Sequence, residues 1–254
     1  MRATEWAVAL RLALAEAFHE RVLALGFLLV LILVVIPVAA KHDAARLIDA
    51  MRISVLLAFL AGGAVIDGEY RSRRAEVLLA AGADESVLAV AGAVARAAWF
   101  LAATWVVAAT GLGVVLLAGA RPDLPRLVSL LALVPLDVLT LFGLTVLLSN
   151  WFPRWTNVLG TVIVFFLVLF GGEVVALAGW SENPLKWLAR WLAGARFWSA
   201  APPGELPIVY ADWWRQALSV AGKTLLLVVL AAIAVRRRAG LWPFRALRAR
   251  REPA

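Results

Sequence analysis

Long apolar runs separated by short charged segments constrain this chain more than any other feature. The first run extends from about Val22 to Ala40 without a charged residue. An α-helix needs about 20 consecutive apolar residues to cross the hydrocarbon core of a bilayer. Hydrophobic residues make up 63% of the 254-residue chain, and the mean hydropathy is +0.88, more than a soluble fold of this length can bury. These features predict an all-α polytopic membrane protein.

We predict a single transmembrane domain over residues 1–254, with six transmembrane helices. Residues 3–20 mix apolar and charged side chains, which favours an N-terminal amphipathic helix in the membrane interface over an early extension of the first span. Residues 179–216 are rich in Pro and Trp and predict short interfacial or re-entrant helices on the far side, before the last span. The six spans are predicted at residues 22–40, 53–66, 88–118, 127–148, 158–178 and 217–235.

The distribution of arginine indicates the orientation of the chain. Six spans place both termini on one side of the membrane, together with the arginines of residues 67–87 and the basic tail 236–254. Cytoplasmic loops carry an excess of Lys and Arg. We therefore predict a multi-pass protein of the cell inner (plasma) membrane with both termini cytoplasmic. The tail follows a predicted span directly, which favours contact with membrane lipid over nucleic acid.

The residue types needed for several chemistries are scarce. The chain has no cysteine and only two histidines, His19 and His42, so we predict no metal site, no cofactor and no catalytic residue in this chain. Residues 217–224 approximate a phosphate-binding loop, but Ala217 stands in the first Gly position. A predicted span follows at the point where such a loop needs a solvated helix N-terminus, so we interpret the match as a coincidence.

Three ionisable residues lie within the predicted spans: Arg96, Asp137 and Glu173. Charges inside a bilayer are costly, and such residues are functional candidates by default. Asp137 is a candidate for lining a translocation path, or it is a structural partner for Arg96 or for a hydroxyl such as Thr140. Asp137 and Glu173 together also suit two alternatives, an intramembrane enzyme and an ion-coupled carrier.

A dense polar block, residues 67–87, separates the second and third predicted spans. In a helix, Glu69 and Glu76 would lie on one face, two turns apart. The pattern favours a short surface helix that offers one face to a soluble partner, and the alternative is an ordinary solvated loop. A Glu69–Arg73 pair at i,i+4 contributes only about 0.2–0.5 kcal/mol, too little to explain so many charges on one segment.

The pattern Glu69-x6-Glu76-x-Leu78-Leu79, at this place in the chain, resembles the coupling segment of ABC-2 type transporter permeases. Arg73 and Arg74 stand where that family usually has Gly and Thr. The resemblance extends to the N-terminal interfacial helix, the six spans and the far-side segment before the last one. Heme-exporter B and copper-site-maturation permeases of this family have a similar size.

The resemblance implies the permease subunit of an ATP-driven ABC exporter. Such a subunit pairs with a second permease chain, as a homo- or heterodimer, and with separate ABC ATP-binding subunits that carry ATP and Mg. This chain would then form the translocation path and would not hydrolyse ATP itself. The coupling helix would contact the ATP-binding subunit through Glu69, Arg71, Arg73, Arg74, Glu76, Leu78 and Leu79.

Overall fold

A computed structural model describes residues 3–41, 44–63, 65, 85–120, 122–163 and 213–238. Every regular element in these ranges is a helix, so the all-α prediction is confirmed for this part of the chain. The helices are α1 (Ala3–His19), α2 (Arg21–Lys41), α3 (Ala44–Met51), a 3-10 turn (Arg52–Ser54), α4 (Val55–Gly63), α5 (Glu85–Leu117), α6 (Leu124–Leu148), α7 (154–163) and α8 (Trp213–Arg238).

Three stretches of helix are long and apolar enough to cross a membrane: Arg21–Lys41, Ser86–Leu117 and Ala217–Val235. They coincide with the predicted first, third and last spans and are compatible with a membrane protein. A shorter apolar stretch, Val138–Leu148, lies in α6. The count of six spans stays a prediction, as do the far-side helices, which lie outside the described residues.

The outer helix α2 shows why the fold suits a lipid environment. Its buried residues recur at helical spacing along one stripe, from Leu23 through Gly26 and Val30 to Val38. Its other faces expose large apolar side chains, Leu25 and Ile36 among them. A helix that is apolar all round belongs either inside a large core or in a bilayer. Because most of α2 is exposed, its outward faces fit contact with lipid.

Two boundaries differ from the prediction. The polar residues between the first two predicted spans, among them Arg46 and Asp49, predict a short loop. The structure has helix α3 there, because Leu47, Ile48 and Met51 form an apolar face that is fully buried. The long helix α5 begins at Glu85, so the last residues of the predicted 67–87 segment belong to α5. Val87 is buried there in a small cluster with Ala9 of α1.

Close glycine contacts show which helix ends lie together. A Cβ at Gly26 would lie 2.5 Å from Leu60 Cδ1, and one at Gly63 would lie 2.8 Å from Val158 Cγ2. The start of α2, the end of α4 and the start of α7 therefore meet at one end of the bundle. At the other end, a Cβ at Gly111 would lie 2.4 Å from Leu47 Cδ1, which places the C-terminal part of α5 beside α3.

The sequence from Gly119 to Pro125, with prolines at 122 and 125, predicts a turn between the third and fourth predicted spans, and the structure shows this turn. Helix α5 ends at Leu117, and Gly119 follows with a φ of +81°. This left-handed conformation is accessible to glycine at low cost and commonly terminates helices. Helix α6 then begins at Leu124 with Pro125 in its first turn, where the missing N–H of proline costs little. The turn thus reverses the chain between two neighbouring helices.

Buried hydroxyl groups are mostly satisfied inside their own helices. Thr104, Thr145 and Thr161 each donate to the carbonyl four residues earlier, at 2.7–2.9 Å. Such bonds satisfy a polar side chain where no water is present. Asn157 differs because its Nδ2 donates across helices, at 2.7 Å to the carbonyl oxygen of Thr145. This bond ties α7 to α6.

We expect Asn157→Ala to lower the free energy of unfolding by about 1 kcal/mol, because interhelical hydrogen bonds in membranes contribute on that order. Asn157 is only 1% exposed, so its amide has no access to water. Equilibrium unfolding in mixed detergent micelles measures the change. Thr156→Ala, at an exposed position of the same helix, is the control and should be neutral. Equal effects of the two substitutions would contradict the interhelical role of Asn157.

Candidate functional site: the Glu20 cluster

Three charged side chains from three parts of the chain converge at the end of the bundle where α2 begins. Glu20, in the short break between α1 and α2, accepts a hydrogen bond at its Oε2 from Nη1 of Arg96, at 2.6 Å. Its Oε1 accepts one from Nη1 of Arg154. One carboxylate thus bridges two guanidinium groups. We call Glu20, Arg96 and Arg154 the Glu20 cluster.

Packing of small residues brings Glu20 to Arg96. The buried face of α1 consists of Ala9, Ala13 and Ala17, spaced one helical turn apart, and α1 packs mainly against α5. Alanines on both helices allow their backbones to approach closely. Helix α1 thus runs beside the first turns of α5, and Glu20, which follows the last residue of α1, lies next to Arg96. The predicted N-terminal helix is confirmed as a helix, whereas its position in the membrane interface stays a prediction.

Arg96 is the most deeply buried member of the cluster. Its side chain is 3% exposed, against 17% for Glu20. An unpaired charge in such a position would carry a large desolvation penalty. The Glu20 carboxylate offsets this penalty through a short, charge-assisted hydrogen bond. Arg96 can therefore sit within a continuous helix that is otherwise apolar enough to span a membrane.

Arg154 lies at the margin of the bundle, at the start of α7. Its guanidinium carbon is 5.7 Å from the centre of the Trp155 ring, within the range of a cation–π interaction. Trp151, Phe152 and Trp155 are all exposed around it. Exposed tryptophans beside an arginine are typical of the boundary between membrane and water. The sequence alone predicts such a boundary at residues 149–157, because Trp151 and Trp155 stand on either side of Arg154.

The cluster is not balanced in charge or in hydrogen bonds. Two guanidinium groups face one carboxylate, which leaves an excess of one positive charge. Within the described part of the chain, the Nε and Nη2 atoms of Arg154 are buried and have no hydrogen-bond partner. Five N–H donors belong to each guanidinium, and a buried donor that lacks an acceptor costs about 1–3 kcal/mol. Part of Arg154 is therefore available for a further acceptor.

Only some of the predicted site residues lie in the described part of the structure. Arg96 was predicted as an intramembrane polar residue, and it forms an ion pair with Glu20. The alternative in which Asp137 is a structural partner of Arg96 stays a prediction. The backbone of Asp137 lies in α6, but its side chain is outside the described part. Glu173 and the predicted coupling residues also lie outside it: Glu69, Arg71, Arg73, Arg74, Glu76, Leu78 and Leu79.

Sequence reasoning did not single out Glu20 and Arg154 as a pair. Each lies in a recognisable sequence context, because Glu20 stands two residues before the first apolar run and Arg154 lies between two tryptophans. Their separation along the chain hides the contact. In the part of the chain that the structure describes, no group of three or more His, Cys, Asp or Glu residues could hold a metal ion. The Glu20 cluster itself offers paired charges and open N–H donors.

No protein-family model matches the chain, and a search of curated proteins finds no significant match.

Proposed function

We propose that this chain is the permease subunit of an ATP-driven exporter of the ABC-2 type. In this proposal it forms the translocation path together with a second permease chain. A separate ATP-binding subunit, carrying ATP and Mg, docks on the charged segment between α4 and α5. The pattern Glu69-x6-Glu76-x-Leu78-Leu79 supports this proposal by its resemblance to the coupling segments of such permeases.

One observation supports the proposal more than the others. The helices that flank residues 66–84 both reach the end of the bundle that carries the Glu20 cluster. Gly63, where α4 ends, approaches the backbone of Arg154, since a Cβ there would lie 3.5 Å from the Arg154 carbonyl oxygen. The start of α5 lies beside α1 at the same end. A partner bound between these helices would act directly on a connected group of helices.

The Glu20 cluster supplies that connection. Glu20 joins the α1–α2 junction to α5 through Arg96 and to α7 through Arg154. A displacement of the first turns of α5 would therefore be transmitted to α2 and α7 by charge-assisted bonds. Discrete networks of packed side chains and salt bridges are suited to such transmission. This arrangement fits a transport subunit that must convert docking at one end into movement of its membrane helices.

The direct test is co-purification with the candidate ATP-binding subunit from membranes. We expect the double charge reversal Arg74→Glu and Glu76→Lys to reduce recovery of that subunit at least about tenfold, because mixed charges at an interface determine orientation and exclude wrong partners. Insertion of the chain into the membrane should be unchanged. The matched control is Arg46→Glu with Asp49→Lys, a reversal of the same kind on α3, near the opposite end of the bundle.

Two results would contradict the proposal. One is undiminished recovery of the ATP-binding subunit after the reversal at Arg74 and Glu76. The other is labelling of a cysteine introduced at Arg71 by an impermeant reagent from outside intact cells, because the coupling segment must face the cytoplasm.

A further inference from the structure

We propose that Arg154, held in the Glu20 cluster, binds a phosphate group at the edge of the bundle. The phosphate chemistry is shared by the headgroup of an anionic phospholipid and by free inorganic phosphate, and the experiment below separates these two sources. The proposal is independent of the transport function. It requires only that the helices lie in a membrane, so that the rim around Arg154 meets the lipid headgroups.

The geometry of the guanidinium group is the first argument. Glu20 takes a hydrogen bond from Nη1 of Arg154. The two atoms left without a partner, Nε and Nη2, lie along one edge of the planar group. Two parallel N–H donors on one edge match two oxygens of a phosphate or carboxylate, which is the bidentate geometry that favours arginine over lysine at such sites. The open edge therefore fits an oxyanion.

The charge of the cluster is the second argument. Glu20 is shared between two arginines, and Arg96 holds one of its oxygens at 2.6 Å. The carboxylate cannot neutralise both cations, so the cluster retains a positive charge in surroundings that exclude most water. Such a charge attracts an anion more strongly than an exposed arginine does, because the local dielectric constant is lower. A phosphate group would neutralise the cluster and satisfy the open donors together.

The position of Arg154 is the third argument. Its side chain is 17% exposed, whereas Nε and Nη2 themselves are covered, so a phosphate has to displace the atoms that cover this edge. The surrounding rim exposes Trp151 and Trp155, which are 47% and 63% exposed. Tryptophan concentrates at the depth of the lipid headgroups, and basic pockets between membrane helices bind anionic headgroups. A phospholipid phosphate would therefore reach Arg154 without crossing the apolar core.

The test measures lipid retention by the full-length purified protein. The protein is reconstituted with equal amounts of phosphatidylglycerol and phosphatidylcholine, and native mass spectrometry counts the lipids that remain bound. We expect the unmodified protein to retain phosphatidylglycerol preferentially. Arg154→Gln should reduce this preference about tenfold, the loss expected from removing charge-assisted hydrogen bonds. Arg154→Lys should be intermediate, because it keeps the charge and loses the planar edge.

Two further variants separate phosphate binding from a structural role. Arg215 also stacks on a tryptophan, with its guanidinium carbon 5.1 Å from the Trp214 ring, so Arg215→Gln is the matched control and should leave lipid retention unchanged. Glu20→Gln removes the competing carboxylate and should increase retention of phosphatidylglycerol by the protein that remains folded, which native mass spectrometry distinguishes from unfolded protein by its charge states. A purely structural cluster would respond to Arg154→Gln and Glu20→Gln in the same direction. Phosphate binding at Arg154 therefore predicts that Arg154→Gln lowers phosphatidylglycerol retention and that Glu20→Gln raises it.

A second measurement identifies the source of the phosphate. Inorganic phosphate is added to lipid-free protein in detergent, and thermal unfolding is followed. A rise in Tm for the unmodified protein that is absent in Arg154→Gln would assign the site to a soluble phosphate. A rise produced only by phosphatidylglycerol would assign it to the lipid. The proposal is overturned if neither probe distinguishes Arg154→Gln from the unmodified protein, or if both variants of the cluster lose lipid alike.

Discussion

Replacing Glu20 by Gln is expected to lower the free energy of unfolding by about 3–5 kcal/mol, the usual cost of removing one partner from a buried ion pair. The reason is the burial of Arg96, which is 3% exposed and cannot reach water when its carboxylate is lost. Arg154 adds to the effect, because the same substitution leaves a second guanidinium without its partner. Equilibrium unfolding in mixed detergent micelles measures the change.

An acidic residue paired to an arginine near the surface gives the control. Asp49 lies 3.6 Å from Arg52, and the two side chains are 28% and 32% exposed. Asp49→Asn should therefore cost no more than about 1 kcal/mol, as for other solvent-screened pairs. Adding Arg96→Met to Glu20→Gln should restore a large part of the lost stability, because it removes the uncompensated buried charge and keeps an apolar side chain of similar length.

These variants distinguish two explanations of how Glu20 stabilises the fold, through its side-chain charge or through its backbone. If burial of an unpaired charge causes the loss, the double variant is more stable than Glu20→Gln alone. If Glu20 acted only through its backbone carbonyl oxygen, which accepts from the Ala24 N–H at 3.0 Å, Glu20→Gln would leave that bond intact and would cost little stability. A double variant less stable than the single one would therefore refute the charge explanation.

The sequence predicted local features of the fold better than long-range ones. The apolar run of α2, the Gly119 turn and the helical character of residues 3–20 follow from composition and periodicity within a short window, and the structure bears them out. Helix α3 was missed because its polar residues, Arg46 and Asp49, obscured a short apolar face that only tertiary packing reveals. Hydropathy averages cannot resolve a face of eight residues.

The functional residues were harder to predict, for a different reason. Arg96 was recognisable because a charge inside an apolar helix needs a partner, but the sequence does not state which partner. Glu20, which pairs with Arg96, precedes it by 76 residues and reaches it because the alanine face of α1 packs on α5. Such packing is not contained in any short motif.

The contact between α4 and α6 leads to the second large effect. Gly62→Ala is expected to lower the free energy of unfolding by about 1–3 kcal/mol, the range for overpacked interiors. A Cβ at Gly62 would lie 2.9 Å from Thr145 Cβ and 3.0 Å from the carbonyl oxygen of Phe142. The Phe142 oxygen is a backbone atom, and the position of the Thr145 Cβ is fixed by the backbone, so no change of rotamer can relieve the contact. The helices themselves must move apart.

Two other glycines provide the comparison that makes this prediction specific. At Gly26 the Cβ would come closer, 2.5 Å, but the atom it meets is Leu60 Cδ1, the end of a flexible side chain. Gly26→Ala should therefore cost less than Gly62→Ala, and Leu60→Ala should remove the clash. At Gly222 no atom of the described residues lies within 4 Å of the added Cβ, so Gly222→Ala should stabilise α8 by up to about 1 kcal/mol through helix propensity.

The expected order of stability is thus Gly222→Ala above the unmodified protein, then Gly26→Ala, then Gly62→Ala. Equilibrium unfolding of the three single variants in mixed micelles tests this order. Distance alone would rank Gly26→Ala as the most damaging, whereas the identity of the opposing atom ranks Gly62→Ala first. A larger loss at Gly26 would mean that Leu60 is held rigidly, and that the α2–α4 contact constrains the bundle more than the α4–α6 contact does.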